Sequence, residues 1–136
     1  MMFIFENPTG SAYCDDQYFL LYLSYNGLIN NKIEEGIEVM KKSMDYCYGK
    51  KVLGVISDLR AIHGNFSKAL EFVEYQYIPR LIKYGMKWVV HIAPRDLLVQ
   101  HLTEKIHEMN QSIEFKLFET FDVADQWIKE KDRKYK

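Results

Sequence analysis

The stretch VISDLRAIHGNFS, residues 55–67, places a carboxylate (Asp58), a guanidinium (Arg60), an imidazole (His63) and a hydroxyl (Ser67) where an apolar run gives way to a helix start. An acid beside an imidazole can move protons to and from a substrate. A serine at a helix start can carry a phosphate, held by backbone amides and the positive helix end. The structural use of the same residues is that Asp58 pairs with Arg60 or closes its own turn, while Asn65 or Ser67 caps the helix. Arg95 and Asp96 follow a second apolar run, KWVVHIA (87–93), in the same way. In open parallel sheets, ligands bind beyond the carboxyl ends of the strands. Asp58, Arg60, His63, Ser67, Arg95 and Asp96 are therefore the candidate ligand- or partner-binding residues, on a polar rim continued by Asn26 and Glu119. None reads as catalytic, because the chain has no nucleophile elbow, no Gly-rich phosphate loop and no HExxH.

Two further histidine settings matter. His91, inside the apolar run WVVHIA, either packs as a neutral, hydrogen-bonded core residue or faces a ligand pocket. His101, Glu104 and His107 recur every three residues on one helix, which turns the two imidazoles about 120° apart. That spacing suits a solvated face better than a shared metal. Cys14 and Cys47 stand far apart, with no CxxC and no partnered histidine, so neither a zinc site nor a redox pair is expected. Two free thiols fit a reducing cytosol. No metal and no cofactor is expected.

The elements that must position these residues alternate along the chain. FLLYLSY (19–25) is a near-continuous apolar run closed by Asn26-Gly27, a buried strand followed by a turn; Phe3–Phe5 forms an edge strand beside it. Ile33, Ile37, Met40, Met44 and Cys47 are spaced by four, three, four and three, the stripe of a helix. Asn31 with Glu34 forms its capping box, and Gly49 its left-handed C-terminal cap. KVLGVIS (51–57) and KWVVHIA (87–93) have strand length and flank a helical stretch from Phe66 to Tyr84. Pro79 lacks an amide donor and disfavours a helical Ile78, so that stretch should kink or break into two pieces at that point, with Pro79 starting the second. Asp96 opens a helix with the stripe Leu98, Leu102, Ile106 and Met109. IEFKLF (113–118) alternates as an edge strand, and a last helix from about Asp122 buries Ala124, Trp127 and Ile128. Strands joined by crossovers of a dozen residues or more pair in parallel with right-handed connections. The expected class is α/β, with a mostly parallel five-stranded sheet, an N-terminal antiparallel edge strand and four main helices.

The 136 residues suffice for one domain with one core. Lys plus Arg (18) nearly cancel Asp plus Glu (19), so nothing draws the chain as a whole to nucleic acid or an anionic membrane. The basic tail Lys129–Lys136 is interrupted by Glu130 and Asp132 and reads as a solvated terminus. The opening MMFIFEN lacks a basic flank, and no run reaches the roughly 18 apolar residues of a membrane span. A cytoplasmic protein without a membrane span is expected.

VISDLR, YIPRLIKYGMKWVVHIAP and FETFDVADQWI, in that order from Lys51 onward, resemble the SpoIIAA-like superfamily of STAS domains, above all its small bacterial stand-alone members described as STAS or CRAL-TRIO-like. The resemblance implies a right-handed βα superhelix around a mostly parallel sheet, and a regulatory or interaction module rather than an enzyme. Members that antagonise anti-sigma factors are switched by phosphorylating a serine at the helix start after this strand. Asp58 matches the superfamily's strand-end aspartate. Leu59, Arg60 and Ala61 replace the antagonists' serine pattern, and Ser67 is the nearest serine to a helix start.

Phe66, Phe72, Tyr75, Tyr77 and Tyr84 crowd one helical stretch, and five rings cannot all point at one sheet. The function expected is a non-enzymatic regulatory or interaction module that binds a protein partner; the alternative is a carrier or sensor of a small apolar ligand. An internal cavity lined by Phe and Tyr favours the ligand, and a flat exposed aromatic patch favours the partner. Self-association is compatible with either.

Overall fold

The computed structural model describes residues 1–28, 32–109 and 112–135. Six strands form one sheet in sequence order: β1 (Met2–Asn7), β2 (Gly10–Asp15), β3 (Leu20–Leu28), β4 (Gly54–His63), β5 (Trp88–Ile92) and β6 (Glu114–Phe118). The first three make an antiparallel meander, and β3 to β6 are parallel, as their long crossovers require. The mixed α/β class and the four parallel strands are as expected. The sheet has six strands rather than five, and Phe3–Phe5 lies against β2 rather than β3. The overlooked strand, GSAYCD, carries Gly, Ser and Asp and buries only the small Ala12 and Cys14 among its side chains, a weak period-two signal. Its hairpin with β1 is closed by Asn7, whose Oδ1 accepts from the Thr9 and Gly10 amides at 2.9 and 3.0 Å.

Two strands run further than their apolar cores. Beyond Ser24 and Asp58, β3 and β4 continue to Leu28 and His63, and β4 carries one extra residue in a bulge between Asp58 and Ala61. This extension pairs only with β3, since β5 ends at Ile92. A strand with one neighbour and one covered face alternates instead of running apolar. Leu59 and Ile62 are buried while Ala61 and His63 are exposed, so the expected turn begins only at Gly64.

The helices are α1 (Ile33–Cys47), α2 (Ser67–Phe72), α3 (Ile78–Lys83), α4 (Leu97–His107) and α5 (Phe121–Tyr135). Gly49 takes the expected left-handed conformation after α1, at φ 74°. The expected capping box at the other end involves Asn31, which lies outside the described residues. Asp96 caps α4 by accepting from Val99 N at 3.1 Å. The helical stretch is interrupted before Pro79 rather than at it: Ile78 keeps helical angles (φ −60°, ψ −46°) and itself begins α3, and α2 and α3 run on as one helix through a π-helical turn over Val73–Tyr77 in which the Ile78 amide reaches back to the Val73 carbonyl. That wider turn absorbs the donor that Pro79 lacks.

Buried residues fall into two clusters, one on each face of the sheet. α1, the α2–α3 pair and α4 cover one face over Leu21, Val55 and Val89. α5 covers the other, setting Ala124 and Ile128 on Leu20, Ile56 and Val90. Among the described residues, no helix is long and apolar enough to cross a membrane.

Candidate functional site

The rim residues separate into small groups held by different elements. Asp58 lies within β4, not at its end, and shares a face with Ile56, under α5. The bulge turns Arg60 back onto it: Nη2 lies 2.8 Å from Oδ2, Nε 3.0 Å from Oδ1, and the Arg60 amide donates to Oδ1 at 3.1 Å. Burial pushes the Asp58 carboxyl up, but the Arg60 bonds outweigh it and, with the nearby Arg95 charge, hold it below its ordinary value. Asp96 sits at the start of α4, where the Val99 amide and then the Gly64 amide, at 3.4 Å, stabilise its charge, with His63 adding to the field. Ser67 stands apart. It is exposed, and its amide donates to Asn65 Oδ1 at 2.8 Å, so Asn65 rather than Ser67 caps the start of α2. Asp58 and Asp96 are thus committed to local partners and not poised to move protons.

A mostly apolar space with room for another molecule lies on the opposite side of β4. Between the sheet and the three-helix layer is a cavity of about 80 Å³. Tyr25, Ser57, Val89, His91 and Phe115 form its floor on β3 to β6, and Gly36, Met40, Ala69, Val73, Tyr77 and Ile106 are among the helical residues above. Its origin is local. Gly36, Ala69 and Ser57 present little or no side chain where larger residues would meet, and the π turn brings both Val73 and Tyr77 to the space. Turns of this kind recur at functional sites. Among the described residues, no Lys, Arg, Asp or Glu lines it.

Four residues with polar side chains line this space: Tyr25, Ser57, Tyr77 and His91. Ser57 and His91 face each other across β4 and β5. The Tyr77 hydroxyl is buried without a hydrogen-bond partner. Ser43 stands near it but donates to the Met40 carbonyl at 2.7 Å. Burial, with the nearby Tyr25 and Cys47 adding, keeps the Tyr77 phenol protonated.

His91 is the buried histidine its sequence setting allows, and its partner is the residue sequence reading missed. His91 Nδ1 lies 2.7 Å from His107 Nε2. The 5.0 Å between ring centroids is that bond plus one ring radius at each end, so the nearly coplanar rings meet edge to edge. Phe115 flanks His107 at 5.2 Å. Burial, then the His107 charge, pushes the His91 imidazole down to about 3; burial also lowers His107, partly offset by Glu104. His107 is therefore not on a solvated face. Of the expected α4 stripe, Leu102 and Ile106 are buried and Met109 packs against the same core, while Leu98 is 42% exposed and Val99 and Thr103 are buried beside them. The stripe is wider than expected, and its Val99 and Thr103 edge puts His107, four after Thr103, at the sheet.

The fold and this site define an α/β sheet protein with an uncharged internal cavity. No family model, curated protein or solved structure matches the chain. Among the described residues, no group of three or more His, Cys, Asp or Glu side chains is placed to hold a metal ion.

Proposed function

We propose that the chain is a non-enzymatic binding module that holds a small, mostly apolar molecule between its sheet and its three-helix layer. The observation that carries this reading is the cavity of about 80 Å³ itself, mostly apolar in its lining and bounded on the sheet by the buried Ser57 and His91. A cavity of roughly 150 Å³ admits benzene, so this one suits a ligand or ligand segment of a few non-hydrogen atoms. The aromatic residues after the 55–67 stretch support it too: Phe66, Phe72 and Tyr77 are buried, and only Tyr75, at 70%, is largely exposed. A carrier or sensor of this kind accords with the STAS and CRAL-TRIO-like resemblance.

The test is native mass spectrometry of protein gently purified from its own host. A retained small molecule is expected, and Ala69→Leu, which fills the space, should lose it. A bare chain that short apolar alcohols also fail to stabilise against heat would overturn the reading. The protein-partner reading has one observation in its favour: Leu97 and Leu98, beside the rim, are 80% and 42% exposed. Partner docking there, with exposed Ser67 as its phosphorylation switch, predicts a stoichiometric second chain in the same spectra.

A further inference from the structure

We infer that the cavity is a site for an uncharged molecule with a short apolar body and one hydroxyl or carbonyl group, and that the His91–His107 pair is its adaptable hydrogen-bond partner. This rests on the ligand-binding reading above and names the ligand's chemistry. A carboxylate or ammonium ligand would be buried unpaired, since no charged side chain lines the space. A purely apolar ligand would leave His91, which lines the space, unmet. The His91 ring spends Nδ1 on His107 and, among the described residues, makes no other hydrogen bond.

A neutral imidazole has one donor and one acceptor nitrogen, so the pair has two arrangements. When His91 Nδ1–H donates to His107 Nε2, the His91 Nε2 is an acceptor and His107 keeps its proton on Nδ1. When His107 Nε2–H donates to His91 Nδ1, the His91 Nε2 carries a proton and donates. The pair holds two ring protons either way. His107, which is only partly buried, exchanges its outer proton with water. A ligand hydroxyl meets either arrangement, and a carbonyl selects the second. His91 is thus the contact and His107 the positioning residue.

The probes are 1-butanol and its near-isostere 1-chlorobutane, titrated by NMR into wild type and His91→Phe. The variant should weaken 1-butanol about fivefold more than 1-chlorobutane, the worth of one hydrogen bond. Equal changes for both probes overturn this inference and leave the ligand-binding reading standing. Failure of wild type to bind either probe overturns both. Imidazole ¹⁵N spectra of wild type do not depend on the variant folding. Adding 1-butanol should move His91 Nε2 and, through the shared proton, His107 Nδ1, while 1-chlorobutane moves neither. Stationary histidine resonances with 1-butanol bound also overturn the inference.

Discussion

On the α5 face of the sheet, polar side chains are tied into charged pairs: Tyr22 donates to Asp125 at 2.5 Å, Asp125 takes Lys129 at 3.0 Å, and Asp58 takes Arg60 at 2.8 Å. On the three-helix face, Ser57, Tyr77 and His91 are neutral, and at least the Tyr77 hydroxyl has no partner. A closed pair has no bonding capacity left and contributes to holding the fold. An open neutral group beside a void is unfavourable until something fills the void. The sheet therefore divides its labour by face, with closure under α5 and recognition under the other helices.

The largest expected effect breaks the closed face. Ile128 is fully buried and sits directly over Gly54, where a Cβ would come within 2.6 Å of its Cδ1. Ile128→Ala should cost about 2–5 kcal/mol, measured by urea unfolding. If the faces are independent, the surviving folded protein should bind 1-butanol like wild type. Loss of binding in a fully folded variant would show that the cavity depends on α5.

Acid should act next, through the open face. Burial depresses both paired histidines; the His107 charge lowers His91 further, and Glu104 offsets part of the shift at His107. The unfolded chain thus binds protons below pH 6.5 that the folded chain refuses. Stability from this source is complete above 6.5 and is lost as pH falls toward about 3. The slope is about 1.4 kcal/mol per pH unit for each proton refused. Unfolding between pH 7 and 4.5 should reveal it, and His91→Phe/His107→Leu should flatten it. Wild-type stability that does not change over that range would place the pair in contact with water.

Legibility in the sequence also follows the faces. The strands buried on both sides, Leu20–Leu23, Val55–Ser57 and Trp88–Ile92, announce themselves as apolar runs, whereas Pro79 points to an irregular helix but misplaces the irregularity, which is the π turn before it. β2 and the extension of β4 do not, because one-sided strands with Gly, Ser, Asp and Arg carry little signal. Asp58 and Arg60 were legible as a pair because two residues of one strand suffice to make it. The cavity was not, since it arises where Gly36, Ala69 and Ser57, from three elements, come together. The partnership of His107 needed the wider buried face of α4, and the regular i, i+4 series Val99, Thr103, His107 was the available signal.

A matched substitution compares the faces directly. Ala69 lines the cavity and Ala124 is fully buried beneath α5. Ala124→Leu overpacks a filled layer and should cost about 1–3 kcal/mol. Ala69→Leu enters empty space and should be neutral or stabilise by about 0.5–2 kcal/mol. Equal losses from the two would mean that the space under the helices is already occupied.

The smallest effect is expected where the sequence draws attention first. The Asp58 and Arg60 side chains retain 25% and 36% exposure, and pairs so open to water contribute at most about 1 kcal/mol. Asp58→Asn keeps the shape and two acceptor sites while removing the charge, so its cost should stay below that value and shrink further in high salt. Because the Asp58 carboxyl is held below its ordinary range, its contribution is present above the unfolded carboxyl value and disappears only as pH falls through the lower folded one. The variant should therefore differ from wild type at neutral pH and converge with it in acid, below the range in which the histidines act. Binding of 1-butanol should be unchanged, since Asp58 faces α5 and the cavity lies across the sheet. A cost above about 3 kcal/mol is what an uncompensated buried charge produces; it would move Arg60 into the closed interior and redraw the line between the faces.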